Sequence, residues 1–269
     1  MKRPISIAHL TLLELTPPEL IRVAAQAGFD SVGLRLIAVT ETTLGYPLMD
    51  NSVMLHDTIR AIEETGVTIN DIEFVRLAPK FDLKEFDGFL EAGAKLGARY
   101  IVTAPYDPDL QRLSDNLSAL AEHSAGYDLV PVLEFFPWTS VPDFQSALKI
   151  VEQTGNRSIG VLVDTLHFNR SNSRLSDLAS SDPKRLPFVH VSDAPVKGSY
   201  SHEDLLHTAR TARLIPGHGN IPITEILSQM PCDIPISFEI PLEDRGGLSS
   251  VEIALEIRQQ AEINLKFSF

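Results

Sequence analysis

The sequence predicts an α/β protein folded as a single-domain (β/α)8 TIM barrel over residues 1–269. Three observations favour this fold. Short runs rich in β-branched residues alternate with amphipathic stretches of about 10–15 residues, a glycine follows most of those stretches, and the alternation runs through eight strand-like segments. Strands that alternate with helices form parallel sheets, and eight such units in a chain of 269 residues favour closure into a barrel.

The candidate strands are short and mostly apolar. They are Pro4–His9, Ser31–Leu36, Thr68–Arg76, Tyr100–Ala104, Val130–Phe135, Ile159–Asp164, Phe188–Asp193 and Ile234–Ile240. An open doubly wound sheet is the alternative, but no Gly-x-Gly-x-x-Gly motif follows the first strand. Because no change in composition marks a boundary, we expect one domain.

Capping residues predict where the helices begin and end. Thr16 and Pro17 mark the start of the first helix, and Gly28 marks its end. The other candidate helices are Ser52–Thr65, Leu83–Leu96, Leu110–Ala125, Val141–Thr154 and Ser249–Ile263. The long polar segment Pro195–Pro222 is interpreted as an irregular loop after the seventh strand, at the end of the barrel where active-site loops lie.

Charge and composition limit the classes of partner. The formal net charge of -13 disfavours nucleic acid and anionic lipid. The lone cysteine, Cys232, cannot form a disulfide within the chain and is typical of a reducing compartment. No run of about 18 apolar residues spans a membrane, and polar residues interrupt the N-terminal segment where a signal peptide would be apolar. We therefore expect a cytoplasmic protein that binds neither nucleic acid nor membrane.

Four successive strands carry a potential metal ligand at or near their ends. The four residues are Glu134, Asp164, His190 and Glu239. An ionised carboxylate inside an apolar strand is costly unless it is paired or bound to a cation. One divalent cation would offset this cost for all three carboxylates. The oxygen-rich set predicts Mn²⁺ or Mg²⁺, with Co²⁺ or Zn²⁺ as alternatives.

The pattern resembles the xylose-isomerase-like barrel superfamily, which includes sugar epimerases, inosose isomerases and dehydratases, 3-dehydroshikimate dehydratase and endonuclease IV. The motifs that carry the resemblance are Leu133-Glu134, Asp164-x-x-His167, His190-Val191-Ser192-Asp193, Pro216-Gly217-x-Gly219 and Phe238-Glu239. The resemblance implies that Glu134, Asp164, His190 and Glu239 bind the metal. It also implies that Glu134 and Glu239 form the catalytic acid/base pair, and that His167 lies beside the substrate oxygens.

These residues fit chemistry at a carbon next to a carbonyl group. A metal on the carbonyl and hydroxyl oxygens stabilises an enediolate, and two glutamates can remove and return the proton. We therefore expect a metal-dependent isomerase or epimerase of a small keto-sugar or cyclitol, with Glu134, Glu239 and His167 as catalytic residues. A lyase of the 3-dehydroshikimate or inosose dehydratase type is the alternative, because loss of a β-hydroxyl needs the same residues.

Two further classes of function are disfavoured. An endonuclease IV-like enzyme would need additional histidines after the third and fourth strands, and neither Arg76–Pro79 nor Thr103–Tyr106 contains one. A non-catalytic barrel would not need the complete set of four metal-competent residues.

Six residues are predicted to contact the substrate. They are Arg35, Arg76, Trp138, Asp193, Lys197 and Arg213. Arginine suits the bidentate recognition of a carboxylate or phosphate, so a carboxylate on the polyhydroxylated carbonyl substrate is left open. The alternative is that the arginines pair with acidic residues of the protein. The apolar segment Ile263–Phe267 leaves a homodimer or homotetramer open.

Overall fold

In the computed structural model, which describes residues 3–265, eight parallel strands close into a barrel in sequence order. The strands are β1 (Ile5–Ile7), β2 (Ser31–Arg35), β3 (Thr68–Leu77), β4 (Tyr100–Pro105), β5 (Val130–Glu134), β6 (Gly160–Asp164), β7 (Val189–Val191) and β8 (Ile236–Phe238). β8 closes the barrel by pairing in parallel with β1. The predicted fold class is confirmed, and each predicted strand overlaps an observed one.

Helices connect the strands on the outside of the barrel. They are α1 (Pro17–Ala27), α2 (Ser52–Thr65), α3 (Asp87–Lys95), α4 (Leu110–Ser124), α5 (Phe144–Gln153), α6 (Thr165–Asn169), α7 (Leu175–Ser180), α8 (His202–Thr211), α9 (Ile223–Ser228) and α10 (Ser250–Leu265). Within residues 3–265, no helix combines the length and hydropathy needed to cross a bilayer.

The start and end of α1 show how local sequence sets a helix boundary. The Glu19 carboxylate accepts a hydrogen bond of 2.8 Å from the Thr16 backbone N–H, which would otherwise lack a partner at the helix start. Gly28 adopts a φ of 76°, and in this left-handed conformation its N–H donates to the Ala25 carbonyl. The boundaries predicted from Thr16, Pro17 and Gly28 are therefore confirmed.

Two predicted helices begin later than expected. α5 begins at Phe144 instead of Val141, because the Asp143 carboxylate accepts the Ser146 N–H and caps the helix there. The predicted helix Leu83–Leu96 opens with a short 3-10 turn before α3 begins at Asp87.

The prediction of an irregular loop over Pro195–Pro222 is wrong in its centre, where α8 forms. Ser201 and Asp204 cap this helix reciprocally, since each side chain accepts the other residue's backbone N–H at 3.0 Å. The spacing Ser-x-x-Asp is the local signal for this helix. The loop therefore contains a rigid element beside the carboxyl ends of the strands.

Alternation along the strands places a small apolar layer directly beneath the predicted metal ligands. Residues two apart in a strand point to the same face. Val132, Leu162 and Phe188 therefore share a face with the residues two positions later, and these three side chains pack together in one buried cluster. A much larger core lies between the barrel and its helices. The apolar layer closes the barrel below the site and excludes water from that side.

The apolar segment Ile263–Phe267 lies only partly within the described residues. Ile263 is 61% exposed on α10, while Lys266 and Phe267 fall outside the described range. The homodimer or homotetramer stays a prediction.

His9 is a structural residue that begins the 3-10 turn after β1. Its ring is buried, and Nδ1 accepts a hydrogen bond of 3.0 Å from the Arg35 backbone N–H. Nε2 lies 2.9 Å from the Leu15 carbonyl oxygen, so the ring proton belongs on Nε2, which donates to that carbonyl. Burial lowers the pKa of His9 to about 4. The native ring is therefore neutral over most of the acidic range.

We predict that His9 makes the protein less stable as the pH falls from about 6.5 to 4. In this window the unfolded state binds a proton at His9 that the native state rejects, so the free energy of unfolding falls by up to about 1.4 kcal/mol per pH unit. His9→Asn should flatten this part of the curve, measured by urea unfolding at stepwise pH. His56→Asn, at an exposed histidine, should retain the wild-type slope. An unchanged slope in His9→Asn would refute the assignment.

Candidate metal centre

The four residues predicted as metal ligands converge at the carboxyl ends of β5 to β8. Glu134 and Asp164 are the last residues of β5 and β6, His190 lies in β7, and Glu239 directly follows β8. One ligand atom of each lies within 4.8 Å of the others, and all four residues are buried. The strand register places Asp164 beside His190, so the sheet itself holds part of the cluster together.

The polar atoms of this cluster fit a bound cation. His190 Nδ1 lies 3.7 Å from Glu134 Oε1 and 3.7 Å from Glu239 Oε2, and it is buried without a hydrogen-bond partner. Buried polar atoms normally have a partner. A divalent cation among these groups would satisfy the ring nitrogen and the three carboxylates together, and this donor set suits such an ion.

Burial and mutual repulsion shift the protonation of the cluster when no cation is bound. Burial raises the pKa of Glu134 to about 8. Burial alone would lower the pKa of His190, but Glu239 and Glu134 outweigh it and raise this pKa to about 10. A metal ion that binds here would therefore displace protons, as is usual for protein metal sites.

Arg213 is a permanent cation built into the cluster. Its Nη1 lies 2.5 Å from Asp164 Oδ2, its Nη2 lies 2.6 Å from Glu239 Oε2, and the side chain is only 2% exposed. Burial would raise the pKa of Asp164, but this guanidinium outweighs burial and holds the pKa at about 2. Arg213 therefore keeps Asp164 ionised and orients the carboxylates of both Asp164 and Glu239. The residue was predicted to bind substrate; it lines the pocket, but both terminal nitrogens are engaged by protein carboxylates.

His167 is a neutral imidazole beside the cluster. Its Nε2 lies 3.8 Å from Asp164 Oδ2 and 3.9 Å from Glu134 Oε1. Burial lowers its pKa to about 4. The rings of Phe136 and Trp138 pack edge-to-face against it with centroids 4.8 and 5.2 Å away. His167 therefore offers a positioned hydrogen-bonding group to a bound molecule.

A cavity of about 280 Å³ opens directly above these groups. Arg35 and Trp138, both predicted to contact substrate, line it. Arg35 forms a buried ion pair of 3.0 Å with Glu73, so the alternative that this arginine pairs with a protein carboxylate is observed. Burial raises the pKa of Glu73 to about 7 in spite of this partner.

Among the cavity-lining residues that sequence reasoning missed are Glu73, Tyr106 and Arg210. Only Glu73 has a clear signal. Ile72-Glu73-Phe74 places a carboxylate between two apolar strand residues, the same pattern as Leu133-Glu134-Phe135. Tyr106 follows β4, and Arg210 lies on α8. The direction of both segments depends on tertiary contacts, which leave no local signal in the sequence.

Three of the predicted substrate contacts lie outside the cavity lining. The Asp193 carboxylate accepts the backbone N–H groups of Gly217, Gly219 and Ile221, each at 3.0 Å, so it holds the turn that follows α8. Lys197 is exposed and lies 3.6 Å from an α8 carboxylate, because the chain leaves the barrel after Asp193. Neither residue lines the cavity, and a contact of Asp193 or Lys197 with the substrate stays a prediction.

Arg76 lies at the rim. Its guanidinium stacks 4.3 Å above the centre of the Tyr106 ring, and its Nη1 donates to the Val39 carbonyl at 3.3 Å. Arg76 therefore supports two residues of the cavity lining and does not itself line the cavity.

The fold and the buried cluster agree with a family comparison. Residues 21–263 match the sequence profile of the family described as xylose isomerase-like TIM barrel. The chain belongs to this family. The resemblance inferred from the strand-end motifs is therefore confirmed.

Individual members of the family differ in their reactions. The chain is 31% identical over 159 residues to inosose isomerase of Halalkalibacterium halodurans, a match that spans 54% of this chain and 53% of that protein. It is 27% identical over 121 residues to 3-dehydroshikimate dehydratase of Pseudomonas putida, spanning 45% of this chain and 18% of that protein. The chain thus spans about half the length of the inosose isomerases it matches.

Solved structures of the family share the whole fold. The structure of IolI protein with a bound zinc atom superposes with a TM-score of 0.81 at 22% identity, over 100% of this chain and 99% of that one. D-Psicose 3-epimerase with D-tagatose, from Clostridium cellulolyticum, superposes with a TM-score of 0.74 at 17% identity, over 98% of this chain and 99% of that one. At these identities the likeness shows the fold alone.

We predict that Arg213→Met destabilises the metal-free protein by about 3–5 kcal/mol, because the substitution leaves buried carboxylates without their fixed cation. Urea unfolding in the presence of a chelator measures this loss. A divalent metal should recover part of it by supplying a replacement charge. Arg60→Met removes a solvent-exposed ion pair with Asp57 and should change stability little. Wild-type stability of Arg213→Met would contradict the role given to Arg213.

Proposed function

We propose that this protein is a metal-dependent isomerase or epimerase of a small keto-sugar or cyclitol. The observation that carries the proposal is the convergence of Glu134, Asp164, His190 and Glu239 within 4.8 Å at the base of a cavity. The similarity to inosose isomerases over about half of the chain supports a cyclic polyhydroxylated ketone as the substrate class.

We propose that the two glutamates transfer protons on opposite sides of a substrate. Glu134 ends β5 and Glu239 follows β8, so they stand at the two ends of the four-strand arc that forms the cluster. One can remove the proton next to the carbonyl group while the other returns it. A bound divalent cation would stabilise the negative charge that develops on the substrate oxygens.

The remaining groups orient the substrate and keep the site dry. His167 offers a neutral imidazole to a substrate oxygen, and Arg213 fixes the Asp164 and Glu239 carboxylates. Phe136 is buried beside His167 and limits the access of water, which strengthens the electrostatic interactions inside the site.

A dehydratase of the 3-dehydroshikimate type is the second candidate. Besides Arg213, two arginines line the cavity, Arg35 at its base and Arg210 on α8, and guanidinium groups suit a substrate carboxylate. The local similarity to 3-dehydroshikimate dehydratase supports the same reading. However, Arg35 already pairs with Glu73 at 3.0 Å, so the isomerase is favoured.

For the cofactor we propose one Mn²⁺ or Mg²⁺ ion, because three of the four ligands are carboxylates. Zn²⁺ and Co²⁺ are the alternatives, and the zinc atom in the IolI structure makes Zn²⁺ the first of these to compare.

We predict that the protein binds one divalent ion per chain, and that a chelator lowers its Tm because the ion binds the native state alone. Glu134→Gln and Glu239→Gln should each weaken binding by at least about tenfold, since each replaces a charged ligand. Titration calorimetry and elemental analysis measure both effects. Glu63→Gln, an exposed substitution on α2, is the control. Equal metal affinity in all four proteins would rule out the site.

We also predict that the metal-loaded protein exchanges the hydrogen next to the carbonyl group of an inosose with deuterium from the solvent, followed by NMR. At saturating metal, Glu134→Gln and Glu239→Gln should slow exchange by about 10²–10⁴-fold, because a positioned base is lost. Parallel reactions with 3-dehydroshikimate distinguish the two candidates. Loss of water from that compound without exchange into inosose would replace the isomerase with the dehydratase.

A further inference from the structure

The cavity has a continuous aromatic wall on one side. We use this name for Phe74, Tyr106, Phe136 and Trp138. Ring centroids of Phe136 lie 5.1 Å from Trp138, 6.1 Å from Phe74 and 6.3 Å from Tyr106. All four residues line the cavity, and they lie in or after β3, β4 and β5.

The polar atoms of this wall are engaged with one another. The indole N–H of Trp138 donates to the Tyr106 hydroxyl at 3.4 Å. The wall therefore presents mostly ring faces and edges to the cavity. A substrate hydroxyl placed against it would lose hydrogen bonds to water with little replacement.

Three leucines form a second apolar part of the cavity lining, which we call the leucine wall. It consists of Leu10 and Leu13, which follow β1, and Leu44, which follows β2. In an eight-stranded barrel that closes in sequence order, β1 lies across from β5. Leu10 and Leu13 are therefore across the mouth from Trp138. Leu44 is 55% exposed, so an apolar surface at the mouth stands in water until something covers it.

Polar groups are concentrated at the base of the cavity. Glu73, Glu134, Glu239 and Arg213 lie at strand ends or directly beside them, below both walls. The base suits a polyhydroxylated carbonyl unit, whereas the space between the walls suits a flat apolar group. An aromatic ring there would gain from burial and from ring contacts.

A second groove borders the cavity on the side of the leucine wall. This groove of about 520 Å³ shares Leu10, Leu13, Arg210 and Thr211 with the cavity.

We propose that the substrate is a polyhydroxylated carbonyl compound that carries an aromatic ring, and that the ring binds between the aromatic wall and the leucine wall. The polyhydroxylated part rests on the proposed function, whereas the ring site rests on the walls alone. Glycosides of aromatic alcohols, oxidised to a ketone on the sugar ring, have this chemistry.

Trp138 gives a direct reporter, because it is the only tryptophan of the chain. The test titrates the zinc-loaded protein with phenyl β-D-glucopyranoside and with methyl β-D-glucopyranoside, and follows tryptophan fluorescence. The phenyl compound should change the emission of Trp138 and bind with a Kd at least about tenfold lower, since only it fills the space between the walls. Equal Kd values, or no binding of the phenyl compound, would overturn the proposal.

Two leucine variants locate the ring. Leu44→Ser should reduce the preference for phenyl over methyl by about threefold, because it removes one apolar contact from the mouth. Leu248→Ser removes a partly exposed leucine that does not line the cavity, and should keep the wild-type preference. A full preference in Leu44→Ser would contradict the leucine wall.

Repeating both titrations after chelation separates this proposal from the proposed function. The walls contain no metal ligand, so the preference for the phenyl compound should persist in the metal-free protein. A protein that keeps this preference but takes up no metal would retain the ring site and lose the proposed reaction. A protein that binds metal without the preference would retain the reaction and lose the ring site.

Discussion

Repulsion among the buried carboxylates of Glu134, Asp164 and Glu239 is the constraint that the rest of the site answers. These groups cannot all be ionised in a dry barrel mouth without compensating charge. Arg213 supplies one fixed positive charge. The position of Arg213 depends in turn on the carboxylate of Asp193, which lies outside the cluster. The Asp193 carboxylate accepts the backbone N–H groups of Gly217 and Gly219 and so holds this turn. The Asp193 backbone also forms an antiparallel bridge with the backbone of Leu214, the neighbour of Arg213.

This dependence explains why Asp193 matters although it does not line the cavity. A side chain at Gly219 would bring its Cβ within 2.4 Å of Asp193 Oδ1, so glycine is needed for the close approach. The segment from His190 to Gly219 therefore acts as one unit. It contains the predicted ligand His190 in β7. It also contains Arg213, whose guanidinium contacts two further predicted ligands, Asp164 and Glu239.

The features that could be predicted from the sequence are those set by local periodicity. A carboxylate or imidazole within an apolar strand points inward by the two-residue alternation, and parallel strands bring such residues to one end of the barrel. This reasoning found the four converging residues but passed over Glu73, whose Ile72-Glu73-Phe74 pattern is the same. It was weakest after β7, where the positions of Lys197 and Asp193 follow from contacts with α8 and with a turn more than twenty residues away. Such contacts leave no periodic signal.

Different strands supply the charged cluster and most of the apolar lining of the cavity. The charged cluster comes from β5 to β8 with Arg213, whereas the leucines and two of the four aromatic residues follow or lie in β1 to β4. The metal-competent cluster and the leucine wall are therefore carried by different segments of the chain. Substitutions in the loops after β1 and β2 can change which molecules are accepted while the charged groups, which tolerate little change, stay intact.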